Sequence, residues 1–397
     1  MRDEVADFYD AHPYPPAVDD IVAYRRSWDD RRRRIESLLV WPAEQSRDDR
    51  SILVAGCGTS QAAHYAVRWP RTRVVGIDVS ATSLAFEERL KRAHGLDNLE
   101  LRRMPIERAP DLGETFQHIV CTGVLHHLAD PDAGLRALRD VLAPDGTVHV
   151  MVYAPYGRRG IYMLQAYCRN LGISSTEPEI RDLAKTLEAL PSHHPLASLR
   201  NSPDFRSAAG LADALLHPRD RSYSVPQLMR FLERAGLTFG RWLRQAPYLP
   251  SCGAVSQTPH RARLEALPAY EQYAAIELFR GTMVRHSFTA YRSDRPPANT
   301  IDFDGDGWRE YVPFRMPNTV TLKENLPPGA AAVLINRNHT YTDLYLPINA
   351  LEARMLSAID GRLTIEQICG AGDARPARAF FRQLWQWDQV VFARPQR

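Results

Sequence analysis

The chain has 397 residues, 44% of them hydrophobic, and its 50 basic and 47 acidic groups nearly cancel to a formal charge of +3. That is a globular composition with material for more than one core, since single cores stop growing at roughly 250–300 residues. The balance argues against nucleic acid as the main partner: arginine supplies almost all the basic charge, and it is spread along the chain instead of clustered as a phosphate-binding surface would be. The five cysteines, Cys57, Cys121, Cys168, Cys252 and Cys369, are odd in number and contain no C-x-x-C, which disfavours both a disulfide framework and a cysteine zinc site. No metal site is expected, a reducing cytoplasm is the expected compartment, and no apolar run approaches the roughly 18 residues that span a membrane.

In chain order, residues 1–50 read as a helical, aromatic segment with Phe8, Tyr9, Tyr14 and the step Pro13-Tyr14-Pro15-Pro16. Arg31 to Arg34 precede Ile35, Leu38, Leu39 and Val40, the pattern of an amphipathic helix with a solvated basic face. From Ser51 the pattern changes to short apolar runs, 52–55, 74–77, 99–102, 118–121 and 147–153, separated by helical stretches at 61–69, 83–94 and 132–142. Strands alternating with helices imply βαβ units in an α/β, doubly wound, mostly parallel sheet. After Tyr153 helical patterns take over through 157–223, including 180–190. Ser224 (N-cap), Pro226 (first turn) and Gly236 (after the end) then bracket a clean helix. Residues 238–244 and 282–291 alternate like strands, and 293–299 is the expected linker. Beyond it, strand-like runs at 319–322, 331–335 and 343–346 mix with helices at 350–359, 364–369 and 376–387, a small α+β, winged-helix-like unit.

The first strand runs into Gly56-Cys57-Gly58-Thr59-Ser60 and then a helix, a turn that lets backbone approach a ligand and offers free amides. The second strand ends in Gly76-Ile77-Asp78, which sets a carboxylate about 20 residues on, where such folds hold a ribose diol. The turn is G-x-G-x-S, not the G-x-G-x-x-G of nicotinamide dinucleotide enzymes. Downstream come Thr115 to Cys121, Gly123-Val124-Leu125-His126-His127-Leu128-Ala129-Asp130-Pro131, and Pro144-Asp145-Gly146-Thr147 before the fifth strand.

Together these pieces resemble the class I S-adenosylmethionine-dependent methyltransferases (methyltransferase type 11/12-like) over about residues 50–155. The resemblance implies a Rossmann-like core with S-adenosyl-L-methionine as cofactor. Ala55, Gly56, Cys57 and Gly58 would pass its methionyl part, Asp78 and Val79 its ribose, and Met104, Pro105 and Ile106 its adenine. Thr122 and Gly123 would form the floor under the sulfonium, with His127 nearby. Two family acids are missing: Val54 stands two positions before the first glycine, and Met104 occupies the adenine turn. Ser60 replaces the third glycine.

Ligands of open α/β sheets lie beyond the carboxyl ends of the strands, so Tyr153 to Arg159 belong to the pocket mouth. Tyr156, Arg158, Arg159 and Arg219, with Tyr9 and Tyr14 from an N-terminal lid, are the candidate substrate-binding residues. His127, His217 and Tyr153 are the candidate bases for acceptors that must lose a proton. The stretch Leu216 to Tyr223 has two readings, a site for an anionic substrate or a loop pinned by an Arg219–Asp220 ion pair. Asp302 to Gly307 resembles the start of a calcium loop, but its twelfth position is Pro313, which makes it a surface turn. Arg375, Arg378 and Arg382 near the last helix are too few for DNA binding, and a protein-docking or dimerisation role fits better.

The expected architecture is a helical lid (1–50), a cofactor-binding core (51–156), a helical substrate-shaping insertion (157–223), completion of the catalytic domain (224–295) and an accessory domain (300–397). The expected activity is methyl transfer to a small molecule, or to a side chain presented by a partner, in a cytoplasmic bacterial enzyme. The alternatives are a non-catalytic S-adenosylmethionine-binding regulator and, from a different class, a NAD-dependent oxidoreductase.

Overall fold

Three helices come first, α1 (Glu4–Ala11), α2 (Val22–Arg26) and α3 (Asp30–Val40), in a computed structural model that describes residues 4–41, 50–197, 203–295, 301–370 and 374–394. Next come β1 (Ser51–Ala55), α4 (Gln61–Arg68), β2 (Arg73–Asp78), α5 (Ala81–His94), β3 (Leu99–Arg103), β4 (Phe116–Thr122), α6 (Pro131–Asp140) and β5 (Leu142–Tyr153). The insertion contributes α7 (Arg159–Leu171), α8 (Glu177–Glu188) and α9 (Ala208–Leu216). It is followed by α10 (Val225–Arg234), β6 (Leu237–Trp242), α11 (Arg261–Glu265), α12 (Ala269–Arg280) and β7 (Arg285–Arg292).

The seven strands form one sheet in the order β3-β2-β1-β4-β5-β7-β6. Strands β1 to β5 run parallel, and β7 runs antiparallel to β5 with Val148 opposite Ala290. Helices cover both faces, so the central strands are apolar on both sides: Leu53, Val54, Ala55, Val75, Ile119 and Val120 are fully buried. The strand order reverses between β1 and β4, which is where such a sheet opens a crevice at its carboxyl edge. Chain 157–223, expected to be helical, supplies α7, α8 and α9. They share a core of Ile161, Leu164, Ile180, Leu183, Leu211 and Leu215 that also takes in Phe8 of α1. Helix α10 carries the expected N-terminus, a Ser224/Gln227 capping box with Pro226 in the first turn.

One boundary moves. Leu142 belongs to β5, not to the preceding helix, because it pairs with Phe116, and the 144–147 turn is absorbed as a register shift within the strand.

The chain divides into two compact units. The first comprises residues 1–28, 47–240 and 280–295. The second comprises 29–46, 241–279 and 296–397, so it recruits two segments that the sequence boundaries assigned to the lid and to the catalytic domain. Most of the expected linker, 296–299, lies outside the described residues. The second unit holds β8 (Val312–Arg315), β9 (Thr319–Leu322), β10 (Ala332–Asn336), β11 (Tyr345–Ile348), α13 (Ala350–Ser357), α14 (Ile365–Cys369), α15 (Ala374–Gln386) and β12 (Val390–Ala393). Its sheets are β11-β10-β9 and the antiparallel pair β12-β8.

Asp388 explains why 241–279 joins this unit. Its carboxylate accepts from the backbone amides of Gln245 and Ala246 and meets Nε2 of His339 at 3.0 Å. Helix α3 buries Ile35 and Leu38 with Phe314, Val391 and Ala393, and the Arg34 guanidinium lies over the Phe314 ring. The basic run is therefore only partly a solvated face. The 302–307 segment is a turn in which Asp302 accepts from the Asp304 amide, with Arg378 and Arg382 within 3.9 Å of the Asp304 carboxylate.

Candidate functional site

The candidate cofactor end is built mainly by backbone. Gly56 and Gly58 both adopt positive φ (72° and 58°). A Cβ on Gly56 would stand 2.4 Å from Val124 Cγ2, and one on Gly58 would stand 3.0 Å from the Tyr14 carbonyl, so both positions exclude other residues. The amides of Gly56 and Cys57 donate to the Ile77 carbonyl, and that of Gly58 donates to Asp78 Oδ2. Asp78 Oδ1 accepts from the Ser80 amide, and the Asp78 carbonyl accepts from the Met104 amide. Asp78, Val79, Met104 and Pro105 thereby form one continuous rim beside the glycine turn. Burial pushes the Asp78 carboxyl above its ordinary range while the amides of Ser80 and Gly58 pull it back.

On the other side, Thr122 Oγ1 accepts from Gln61 Nε2, and Gly123, with φ of 81°, donates to the Met151 carbonyl. Cys57 and Ile106 face the core instead, and burial raises the Cys57 thiol well above its ordinary value. The N-cap residue of α4, Ser60, makes no side-chain cap hydrogen bond. Glu87 of α5 accepts from the amides of Ala62 and Ala63 in its place. This donor set fits S-adenosylmethionine, because the Asp78 carboxylate, which takes the amides of Ser80, Gly58 and Val79, still has acceptor capacity for a ribose hydroxyl and the glycine turn has no side chains in the way.

The N-terminal segment joins both ends of the site. Asp10 accepts from the Ser80 hydroxyl and the Thr82 amide, two and four residues after Asp78. The Pro15 carbonyl accepts from the Thr59 hydroxyl. The neighbouring Tyr9 points the other way and donates its hydroxyl to Asp213 Oδ1 at 2.9 Å. Burial and then Asp213 raise the Tyr9 hydroxyl well above its ordinary value, which keeps it protonated as a donor.

Around Asp213 the insertion assembles a second, buried polar cluster. His127 and His217 stand 3.9 Å apart between ring centroids, with Tyr9 and Phe8 packed on His217. His127 Nδ1 lies 2.6 Å from the Arg219 carbonyl, and His217 Nδ1 accepts from the Arg219 amide at 3.0 Å. The Nε2 atoms of both rings are buried without a partner. Burial, and next the neighbouring His127, pull His217 down to about 2, so it is neutral at physiological pH. His126 packs on Tyr153 (3.9 Å) and is held far below its ordinary value by burial, which removes it as a base. Tyr153 is raised well above its ordinary value by burial, which weakens its claim as a base.

His127, Asp213 and His217 each bring one potential ligand atom within 4.8 Å of the others. The donor set nevertheless fits a metal ion poorly. His217 Nδ1 takes a backbone N–H, so its neutral ring carries the proton on Nε2 and turns a donor, not a lone pair, into the cluster.

Arg158 lies buried over the Tyr153 ring, 3.4 Å from its centroid, and pairs with Asp220 Oδ2 at 2.9 Å, to which Gln165 also donates. The ion pair that pins this loop is thus Arg158–Asp220, not Arg219–Asp220, because Asp220 turns inward while the Arg219 side chain is half-exposed. Arg159 is exposed with its Nε on the Tyr156 carbonyl, and the structure does not bring it to the histidines. Tyr14 meets the site through its carbonyl beside Gly58. Sequence reasoning missed Asp213, Gln61 and Asp10. Asp213 had a signal, a lone acid in the apolar run Leu211-Ala212-Asp213-Ala214-Leu215-Leu216.

Residues 53–148 match the family described as a methyltransferase domain. An uncharacterized protein of Synechococcus sp. is 31% identical over 310 residues, 76% of this chain and 74% of that protein. The ubiquinone biosynthesis O-methyltransferase of Bordetella avium is 30% identical over 116 residues, 28% of this chain and 46% of that enzyme. Among solved structures, PKMT2 from Rickettsia typhi in complex with AdoHcy covers 97% of this chain and 78% of its own, with a TM-score of 0.66 at 14% identity.

Proposed function

The chain belongs to the class I S-adenosylmethionine-dependent methyltransferases, and from that premise we propose that it methylates a small molecule, or a side chain presented by a partner, with His127 as the base. The observation that carries this reading is the buried, unpartnered Nε2 of His127, just past the carboxyl end of β4, on a ring oriented by the Arg219 carbonyl. When bound, S-adenosylmethionine supplies an electrophilic methyl group on a sulfonium.

Asp78 and the Gly56–Gly58 turn hold the cofactor, and Thr122 and Gly123 form the floor beside it. Tyr9 and Phe8 close over the histidines and exclude water, and Asp213 sets a negative charge where His127 becomes positive on taking a proton. Arg158 and Asp220 hold the loop that carries Arg219 and hence both rings. The accessory unit is read as a docking or dimerisation module. Calorimetry with S-adenosylmethionine and S-adenosylhomocysteine tests the premise at this site. Wild type binds both and Asp78→Ala weakens both, whereas binding that Asp78→Ala leaves intact would remove the assigned cofactor site. Release of S-adenosylhomocysteine with candidate acceptors then tests turnover.

A further inference from the structure

We propose that the methyl acceptor is a hydroxyl group, held between Nε2 of His127 and the Nε2–H of His217, and that the backbone of Arg219 imposes this polarity. The inference rests on the methyl-transfer reading above and adds the atom that receives the methyl group.

The argument turns on two backbone groups of one residue. A carbonyl oxygen only accepts, so His127 Nδ1, 2.6 Å from the Arg219 oxygen, carries the proton. A backbone amide only donates, so His217 Nδ1, 3.0 Å from the Arg219 nitrogen, presents its lone pair. A neutral imidazole has one N–H and one lone pair. The two far nitrogens are therefore of opposite kind, a lone pair on His127 Nε2 and an N–H on His217 Nε2, and both are buried without a partner. The ring centroids are 3.9 Å apart, and a nitrogen of each ring lies within 4.8 Å of the other and of an Asp213 oxygen. An oxygen placed between the two far nitrogens would satisfy both at roughly 2.7–3.0 Å.

Only some acceptors satisfy this pair. A hydroxyl oxygen has two lone pairs and one hydrogen: one lone pair attacks, the second accepts from His217, and the hydrogen donates to His127. An amine has a single lone pair, which attack consumes, so its nitrogen faces the His217 N–H with nothing to accept it. A carbon acceptor has no lone pair to offer. In the step itself the oxygen–methyl bond forms, the methyl–sulfur bond breaks with its electrons left on sulfur, and the hydroxyl proton passes to His127 Nε2. A buried donor left unsatisfied costs enough to disfavour the amine by at least about tenfold.

The test has two arms. In the full chain labelled with 15N-histidine and saturated with S-adenosylhomocysteine, long-range proton–nitrogen correlation reads the tautomers, with assignments from His127→Gln and His217→Gln. The expected result is protonation of His127 at Nδ1 and of His217 at Nε2; the same tautomer on both rings overturns the proposal. In the second arm, the protein is incubated with methyl-deuterated S-adenosylmethionine and a bacterial small-molecule and peptide extract, and the labelled bond is identified. Label on oxygen supports the proposal, with transfer in His217→Leu more than tenfold slower than in His217→Gln, which keeps a donor. Label on nitrogen, sulfur or carbon overturns the hydroxyl assignment and leaves methyl transfer standing. No label at all, from protein that binds S-adenosylhomocysteine, overturns methyl transfer itself.

Discussion

The two ends of the site are made of different material. At the cofactor end, Gly56, Gly58, Gly123 and Asp78 sit at strand ends, and most of the hydrogen bonds run through backbone amides and carbonyls. At the proposed acceptor end, Tyr9, His127 and the Asp213–His217 pair at the end of α9 come from three separate segments and meet through side chains and the backbone of Arg219. In the proposed reading the first arrangement holds the cofactor, and the second is where one acceptor would be told from another.

Substitutions can break that division or sharpen it. The largest effect belongs to His127→Ala, which should lower kcat by about 10²–10⁴-fold while changing S-adenosylhomocysteine affinity less than about threefold. A matching loss of affinity would place His127 at the cofactor end. Asp78→Ala should do the reverse and weaken S-adenosylhomocysteine by roughly a hundredfold, as expected for two lost hydrogen bonds to a charged group. Calorimetry reads both.

Stability against pH separates the two ends in another way. His217 has a folded value near 2, below the ordinary 6.5, so the unfolded chain binds the extra proton between these values, and stability falls as pH falls below about 6.5. Urea midpoints at pH 7 and pH 5 should show wild type losing up to about 2 kcal/mol more than His217→Gln. An identical slope would mean that His217 is hydrated. The smallest effect is expected for Tyr9→Phe, which removes one hydrogen bond to Asp213 and should cost about 1 kcal/mol and roughly tenfold in kcat. Unchanged kinetics would leave Tyr9 as packing only.

The same division decided what could be read in advance. The strands β1 to β5, and the places of Gly56, Gly58, Asp78, Thr122 and Gly123 at their ends, were legible because each is a local event, an apolar run followed by a turn residue or an acid. Strand β8 was not, since four residues including Pro313 carry no period that stands out until they pair with β12. Arg158 was named as a substrate contact and turned out to be buried against Asp220, because sequence shows a charge but not what faces it.

By itself, then, the sequence determined the doubly wound sheet, the glycine turn after β1 and the methyltransferase family, all of which follow from periodicity and short spacings. Tertiary structure alone decided that 29–46 and 241–279 fall in the second compact unit, that Asp213 stands beside His127 and His217, and that His127 Nδ1 meets the Arg219 carbonyl. Those outcomes depend on groups tens to hundreds of residues apart, such as Tyr9 with Asp213 and His127 with Arg219, whose meeting is set by how the core packs and leaves no mark in the local sequence.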